Sequence, residues 1–298
     1  MAIAVGGPAT ATAPATHSRL QAVDILLLAY LGVISLVALR RASQNPNCWW
    51  LLGAHGLFLI LLVLVTRPDL GRVGRVLREL YPLLLLIGLY GELDVLNGIN
   101  GPPVHDATIQ RWELALFGVQ LSRVWWQELP SRFWSTVLHG AYFSYYLIVS
   151  IPAFYFAWRR RLGKLREFVL GVMITFVICY LIFVFYPVAG PYYVFPRPSA
   201  WFVDNGPARL VYAILATGSS YGAAFPSSHV AASAAATISA WRGSPKLGAL
   251  LLVPSVLLSV GVVYCQMHYG VDALAGLGLG VLVAAAMAFK RETGNRQR

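Results

Sequence analysis

The sequence predicts an all-α integral membrane protein with about eight transmembrane helices. Of its 298 residues, 58% are hydrophobic and only 12% are charged. The apolar residues fall in long blocks and not at the alternating or helical spacing of a soluble fold. About 20 apolar residues cross a bilayer as a helix, because a backbone amide left unpaired in hydrocarbon costs several kcal/mol.

The apolar blocks give the expected order of helices. We expect them at roughly 22–39, 48–66, 80–98, 135–158, 167–187, 228–241, 247–265 and 268–289. The sixth block is short for a membrane span, so we expect protein and not lipid to surround it. Residues 1–18 are rich in Ala, Thr, Pro and Gly and lack the basic start and apolar core of a cleaved signal, which predicts a disordered tail.

Membrane topology explains the positive charge of the chain. The net charge is +11, but the basic residues sit at the ends of apolar blocks and form no single stripe, so nucleic-acid binding is not expected. Eight crossings put both termini and most of the 23 lysines and arginines on one side, which is therefore predicted to be cytoplasmic; Arg40 and Arg41 are the exceptions. The longest non-spanning segments, 99–134 and 188–227, are then extracytoplasmic. We expect a multi-pass protein of the cell membrane.

The start of the last apolar block carries an ionisable pair. His268 and Asp272 are four residues apart, so on a helix they share one face. A carboxylate that accepts a hydrogen bond from one ring nitrogen leaves the other nitrogen free as a nucleophile or base. The alternative is a buried hydrogen bond that only locks a helix end. Ionisable groups this close to hydrocarbon are costly, which favours a functional role.

A second histidine opens the sixth apolar block, on the same predicted membrane side. The segment is Ala224-Phe225-Pro226-Ser227-Ser228-His229. Pro and Ser favour a helix start, whose free amides and positive dipole end bind phosphate. His229 at such a position is suited to protonate the leaving oxygen of a phosphate ester. A simple helix cap is the alternative, which the joint presence of two histidines and one carboxylate makes less favourable.

These two segments resemble a known family. Phe225-Pro226-Ser227-Ser228-His229 and His268-Tyr269-Gly270-Val271-Asp272 are similar to the second and third signature motifs of the type-2 phosphatidic acid phosphatase superfamily. The sequence around both motifs, residues 222–229 and 267–272, is most similar to the inositol phosphorylceramide synthase and sphingomyelin synthase branch. The similarity covers roughly 135–289, and the motifs are specific as a set.

The resemblance implies a fold, a mechanism and a division of the chain. It implies a six-helix-type phosphatase/phosphotransferase core formed mainly by the C-terminal part, with a catalytic region at 105–289 after N-terminal transmembrane helices at 19–104 and before a basic cytoplasmic tail at 290–298. His268 would attack phosphorus and form a phosphohistidine-type intermediate, Asp272 would orient it, and His229 would act as general acid and base. Neither a metal nor another cofactor is expected, and the oligomeric state is left open.

The sequence departs from the phosphatase pattern at two phosphate-binding cations. The third motif of that family begins with Ser-Arg, where this chain has Gly261 and Val262. The first motif, Lys-x6-Arg-Pro, is matched by Arg197-Pro198 but has Gly190 in place of lysine. A phosphodiester carries less charge than a monoester and needs fewer cations, so headgroup transfer is favoured over plain hydrolysis.

Substrate-binding roles are expected for Ser227, Ser228, Arg197 and Tyr193 on a membrane lipid at the extracytoplasmic face. For Arg197 the alternative is an interfacial arginine that anchors its loop to headgroups. Tyr193 belongs to a loop, Gly190-Pro191-Tyr192-Tyr193, that resembles the Pro-rich loop of the synthase branch. Arg111 and Arg132 are less specific candidates. Glu92, Asp94 and Asn97 are expected to solvate a helix end, and His17, His55 and His105 receive no role.

Two groups of polar residues leave alternatives open. His139 and the tyrosines that follow it can line a headgroup pocket, but a packed helix interface is favoured. Cys48, Cys179 and Cys265 show no disulfide or zinc pattern. The rival functions are a phosphatidic acid or polyprenyl phosphate phosphatase, a transporter, and a lipid-binding protein without turnover. A transporter predicts ionisable residues at mid-membrane depth on several helices.

Overall fold

The computed structural model describes residues 20–67, 71–98, 101–218 and 221–296. Within these ranges the chain is helical and contains no β-strand. The helices are α1 (Ala22–Arg41), α2 (Asn47–Val65), α3 (Arg72–Asn97), α4 (Asp106–Phe117), α5 (Leu121–Glu128), α6 (Arg132–Tyr142), α7 (Ser144–Trp158), α8 (Leu162–Phe185), α9 (Pro191–Val194), α10 (Ala200–Val203), α11 (Gly206–Gly218), α12 (Ser228–Gly243), α13 (Pro245–Tyr264) and α14 (Gly270–Arg296). Residues 1–18, which are predicted to form a disordered tail, lie outside the described residues, and helix α1 begins at Ala22.

Six helical segments of the described chain are long and apolar enough to cross a membrane. They are α1, α2, the continuous pair α6 and α7, α8, α13, and α14 as far as Phe289. Helix α3 has the length but begins with several charged residues, and α12 has only 16 residues. The protein is therefore an all-α, multi-pass membrane protein, while the number of eight crossings stays a prediction.

Three helices start at the same end of the bundle. At the start of α3, Arg78 forms an ion pair with Asp24 near the start of α1 and donates to its Oδ1 at 2.9 Å. The next residue, Glu79, accepts from the Nε of Arg166 near the start of α8 at 3.1 Å. These buried and half-buried pairs place three helix starts at one end, which is the end predicted to be cytoplasmic. The opposite end carries the loops described below.

Helix α12 lies inside the protein. It packs against α7, α8, α13 and α14, and most of its residues are buried, with alanine the commonest among them. Helix α14 approaches it closely through glycines: a Cβ at Gly276 would lie 2.4 Å from the Ser227 carbonyl oxygen, and one at Gly280 would lie 2.3 Å from that of Ala231. Small residues at such contacts let two helix backbones meet. Helix α12, which corresponds to the short sixth apolar block, is thus surrounded by protein, as its length predicts.

A buried polar network links the first three helices. The His55 Nε2 lies 3.0 Å from the Glu92 Oε1, and the Tyr30 hydroxyl donates to the Glu92 Oε2 at 3.3 Å. The Ser35 hydroxyl meets the other His55 nitrogen at 2.7 Å. The expectation that Glu92 solvates a helix end is therefore wrong, because its side chain is buried against α1 and α2, where His55 and Tyr30 form hydrogen bonds with it.

Candidate active site

Two loops meet at the end of the bundle opposite the ion pairs. The Val188 amide donates to the Gly222 carbonyl at 3.0 Å, and the Ala224 amide donates to the Val188 carbonyl at 2.9 Å. A third loop, 265–269, joins α13 to α14. Its Gln266 has a φ of 59°, and its side chain accepts from Trp126 Nε1 at 3.0 Å and donates to the Pro196 carbonyl at 2.8 Å. The three loops together hold the two histidines.

His268 lies two residues before α14 and not on the helix. Its Nδ1 donates to the Ala224 carbonyl at 3.0 Å, while Asp272 Oδ2 is 3.5 Å from the same nitrogen. That Oδ2 accepts the Tyr269 amide at 2.9 Å. The shorter contact of the His268 Nδ1 is thus with a main-chain carbonyl, and its distance to the Asp272 carboxylate is 0.5 Å longer. With Nδ1–H engaged, Nε2 keeps its lone pair and is the atom available for attack.

The buried position of His268 sets its protonation. Only 6% of the residue is exposed, and burial lowers the pKa of His268 from its usual 6.5 to about 4, against a smaller opposing effect of the bond to the Ala224 carbonyl. Protonated imidazole has no lone pair on Nε2. The reactive form is therefore fully present at neutral pH and is lost as the pH falls through the lowered pKa.

This shift predicts an unusual acid limb for any activity that depends on His268. We expect the acid limb of kcat/KM, which reports the free enzyme, to be centred near the lowered pKa of His268 and not near pH 6.5. A pH–rate profile in liposomes checks this, with protein integrity measured at each pH. An acid limb centred near the ordinary histidine pKa would contradict the burial of His268.

His229 is the second residue of α12 and faces His268. Its ring packs against those of Tyr142 and Tyr145, with centroids 4.9 and 4.7 Å away, and lies 6.4 Å from the His268 ring. A phosphate group between the rings can meet one nitrogen of each. The structure thus brings the two histidines together at one end of the bundle, while the membrane side on which they lie stays a prediction.

The start of α12 offers hydrogen-bond donors beside the histidines. Ser227 is the N-cap: it is fully buried, and its hydroxyl accepts from the Val230 amide at 3.4 Å. Within the described part of the chain, no acceptor binds the amides of Ser228 and His229. Free amides at a helix start, reinforced by the helix dipole, favour an anion.

An open cavity joins these groups. Both histidines and Ser228 line it, together with the aromatic side chains Tyr90, Tyr142 and Tyr193. None of the described residues on its wall is Lys, Arg, Asp or Glu. An anion bound here would rely on amide, hydroxyl and imidazole donors. No cluster of three His, Cys, Asp or Glu side chains suited to a metal occurs among the residues with described positions.

The structure brings some of the predicted site residues to the cavity and not others. Ser228, Tyr193 and the two histidines line its wall, whereas Ser227 and Asp272 lie behind it. Arg197 is exposed, donates to the Tyr192 hydroxyl at 3.0 Å and stacks on that ring at 5.0 Å. Tyr192 lies on the cavity wall, so Arg197 contacts a wall residue but does not line the cavity itself. The less specific Arg111 and Arg132 bind elsewhere, the former to Thr108 and the latter to Asp204.

The positions without the expected cations are used for packing. Gly190 has a φ of +93°, and an added Cβ would lie 2.9 Å from the Ala224 Cβ, so a lysine does not fit there. Val262 is 1% exposed, and its carbonyl accepts the amides of Met267 and His268 at 2.9 and 2.8 Å. Both residues therefore support the loop geometry around His268.

Sequence reasoning missed two acidic residues of α4. Asp106 and Glu113 are 6% and 0% exposed and bind main-chain amides next to the site. Their spacing of seven places them on one helix face, which was the available signal. His139 does not line the cavity, because its Nδ1 lies 2.8 Å from the Ser135 carbonyl in a helix interface.

A family comparison agrees with this geometry. A model described as the PAP2 superfamily matches residues 108–286, a range that contains both histidines and Asp272. Neither the curated proteins nor the solved structures give a match. Phosphatase chemistry is general in this superfamily, and a lipid-type phosphatase or phosphotransferase activity agrees with the membrane helices around the cavity. From the matched range, which covers more than half of the sequence, the chain belongs to the PAP2 superfamily.

Proposed function

We propose that the protein transfers a phosphate-containing headgroup from a phosphodiester lipid to the hydroxyl of a second lipid, in the manner of an inositol phosphorylceramide synthase. The observation that carries this proposal is the cavity wall, which combines two facing histidines with free helix-start amides and has no cation among its described residues. The predicted topology places this reaction at the extracytoplasmic face.

In the first half-reaction, the His268 Nε2 lone pair forms a bond to phosphorus as the bond from phosphorus to the leaving alcohol oxygen breaks. Burial beside His268 lowers the pKa of His229 to about 3, and the negative charge of a bound phosphate favours its protonated form again. Protonated His229 then gives its proton to that oxygen, so the alcohol leaves neutral. The phosphohistidine retains its Nδ1 proton on the Ala224 carbonyl. The nearby Asp272 carboxylate, 3.5 Å from Nδ1, stabilises the positive charge that develops on the ring.

In the second half-reaction, neutral His229 accepts the proton of the incoming hydroxyl as its oxygen attacks phosphorus. The bond from phosphorus to Nε2 breaks, and His268 returns to its neutral form. Proton and headgroup are thus both conserved, and water in place of the lipid hydroxyl gives hydrolysis. The transfer cycle needs no external acid or base, because His229 receives back the proton that it gave.

The charge of the substrate supports transfer over hydrolysis of a monoester. A phosphate monoester carries a charge of about −1.5 to −2 at neutral pH, whereas a diester carries a single negative charge. Each uncompensated charge is costly in a cavity of low dielectric constant. Amide and hydroxyl donors without a cation therefore match the diester better.

The test is a product analysis. Purified protein in liposomes receives labelled phosphatidylinositol, phosphatidylcholine or phosphatidic acid, each with and without ceramide or diacylglycerol. We expect a diester headgroup to appear on the added acceptor, by mass spectrometry, and the yield to be unchanged by EDTA. Rapid phosphate release from phosphatidic acid with no reaction of either diester would overturn the proposal in favour of a phosphatase. Binding without any product would favour a lipid-binding protein.

A further inference from the structure

We propose that α4 positions the nucleophile through Asp106 and Glu113, the α4 carboxylate pair. The two side chains bind main-chain amides and so hold two loops in place around His268: the first is 186–190, and the other is 265–269 with the start of α14. This inference rests on the proposed function, because it concerns His268 as the attacking residue. Neither acid touches the cavity. Both are therefore positioning residues.

Asp106 holds the first loop. Its Oδ2 accepts the Ala189 amide and its Oδ1 accepts the Gly190 amide, both at 2.8 Å. The Tyr269 hydroxyl also donates to Oδ1, at 2.9 Å, so one carboxylate joins the first loop to the residue after His268. The residue before α4, His105, adds a main-chain bond to the Pro187 carbonyl at 2.8 Å.

Glu113 holds the other loop from two helical turns further along α4. Its Oε1 accepts the Gly270 amide at 3.0 Å and its Oε2 accepts the Val271 amide at 2.9 Å. Gly270 and Val271 are the first two residues of α14, which begins directly after the loop that carries His268. The negative charge at this helix start is also favoured by the helix dipole. The fully buried carboxylate thus fixes where α14 begins relative to α4.

The two loops meet at the His268 ring. The 186–190 loop packs against Ala224 so closely that there is no room for a Cβ at Gly190. Ala224 in turn supplies the carbonyl that accepts from Nδ1. The 265–269 loop carries the His268 ring itself. Displacing either loop changes the angle between Nε2 and a bound phosphate, and a displacement of about 1 Å can cost on the order of 100-fold in rate.

The pair needs carboxylates and not merely polar side chains of the same size. Each acid receives two main-chain N–H groups, one on each oxygen. An amide side chain has only one oxygen acceptor, and its NH2 group would face a second donor. Asp106→Asn and Glu113→Gln therefore remove one bond and create a donor–donor clash with little change of volume.

We expect each of these substitutions to lower kcat by about 10- to 100-fold with KM changed less than about three-fold, as for groups that orient a reactive ligand. Asp204→Asn is the matched control, since Asp204 is an exposed acid that pairs with Arg132 and Arg209 and should leave kcat unchanged. Tyr269→Phe removes the hydroxyl that donates to Asp106 and accepts from Gln110 Nε2 at 3.1 Å, and both acids keep their main-chain bonds. We expect a loss of about three- to ten-fold in kcat. This variant keeps the test available if the other two fold poorly.

Amide hydrogen exchange gives a readout that does not depend on activity. In the purified full-length protein, Asp106→Asn should speed exchange in 186–191 and Glu113→Gln in 266–272, with the distant end of the bundle unchanged. Kinetic constants within two-fold of wild type in both folded variants would overturn the positioning role, as would a parallel loss of thermal stability and exchange protection throughout. If wild type turns over no lipid, the proposed function fails, while the exchange pattern still decides whether the pair holds the loops.

Discussion

Replacing His268 by alanine is expected to abolish phosphoryl transfer, with a loss of about 10⁴-fold or more in kcat, as is typical when a nucleophile is removed. The physical reason is that Nε2 carries the free lone pair of the His268 ring, since Nδ1 donates its hydrogen to the Ala224 carbonyl. The measurement is headgroup transfer in liposomes, together with mass-spectrometric detection of a phosphorylated His268 peptide at alkaline pH.

His268→Asn is the sharper variant. An asparagine amide can place its NH2 group near the position of Nδ1 and keep the bond to Ala224, but it has no atom equivalent to Nε2. We expect it to retain the fold and to be as inactive as His268→Ala. Substantial turnover in folded His268→Asn would contradict nucleophilic catalysis at this residue.

His229→Ala is the second large expected effect, a loss of about 10²- to 10⁴-fold in kcat for a natural lipid, because an alcohol leaves slowly without a proton. The effect should depend on the leaving group. With a p-nitrophenyl phosphodiester, whose phenolate leaves without protonation, we expect the formation of the phosphohistidine to slow by less than about ten-fold. Burst-phase release of nitrophenol measures this step directly.

The comparison of the two esters separates chemistry from binding. If His229→Ala slows the burst equally for the lipid and the activated ester, His229 serves to bind phosphate and is not the acid. A small loss with the lipid would likewise contradict the assignment. The packing of the His229 ring against Tyr142 and Tyr145 makes a stability measurement of the variant part of the same experiment.

Much of the fold and part of the site can be predicted from the sequence, for a physical reason. A membrane helix is defined by a local run of apolar residues, so the predicted blocks agree with the observed helices to within a few residues for most spans. The Ser-Ser-His start of α12 is also local, so helix-start chemistry predicts where the helix begins. Its functional role is predicted only together with His268 and Asp272.

The remaining contacts depend on residues that are distant in the chain. The Ala224 carbonyl that binds His268 is 44 residues away, and Glu113 is 157 residues from the amide of Gly270. A main-chain carbonyl has no sequence signature, because every residue carries one. The pairing of His55 with Glu92 was missed for the related reason that each looks like an isolated polar residue until the helices pack.

Tyr90 has a wider consequence. It belongs to α3, which precedes the matched range 108–286, yet it forms part of the cavity wall. The matched range therefore does not supply the whole cavity wall, and a fragment trimmed to 108–286 would lack the side that Tyr90 forms.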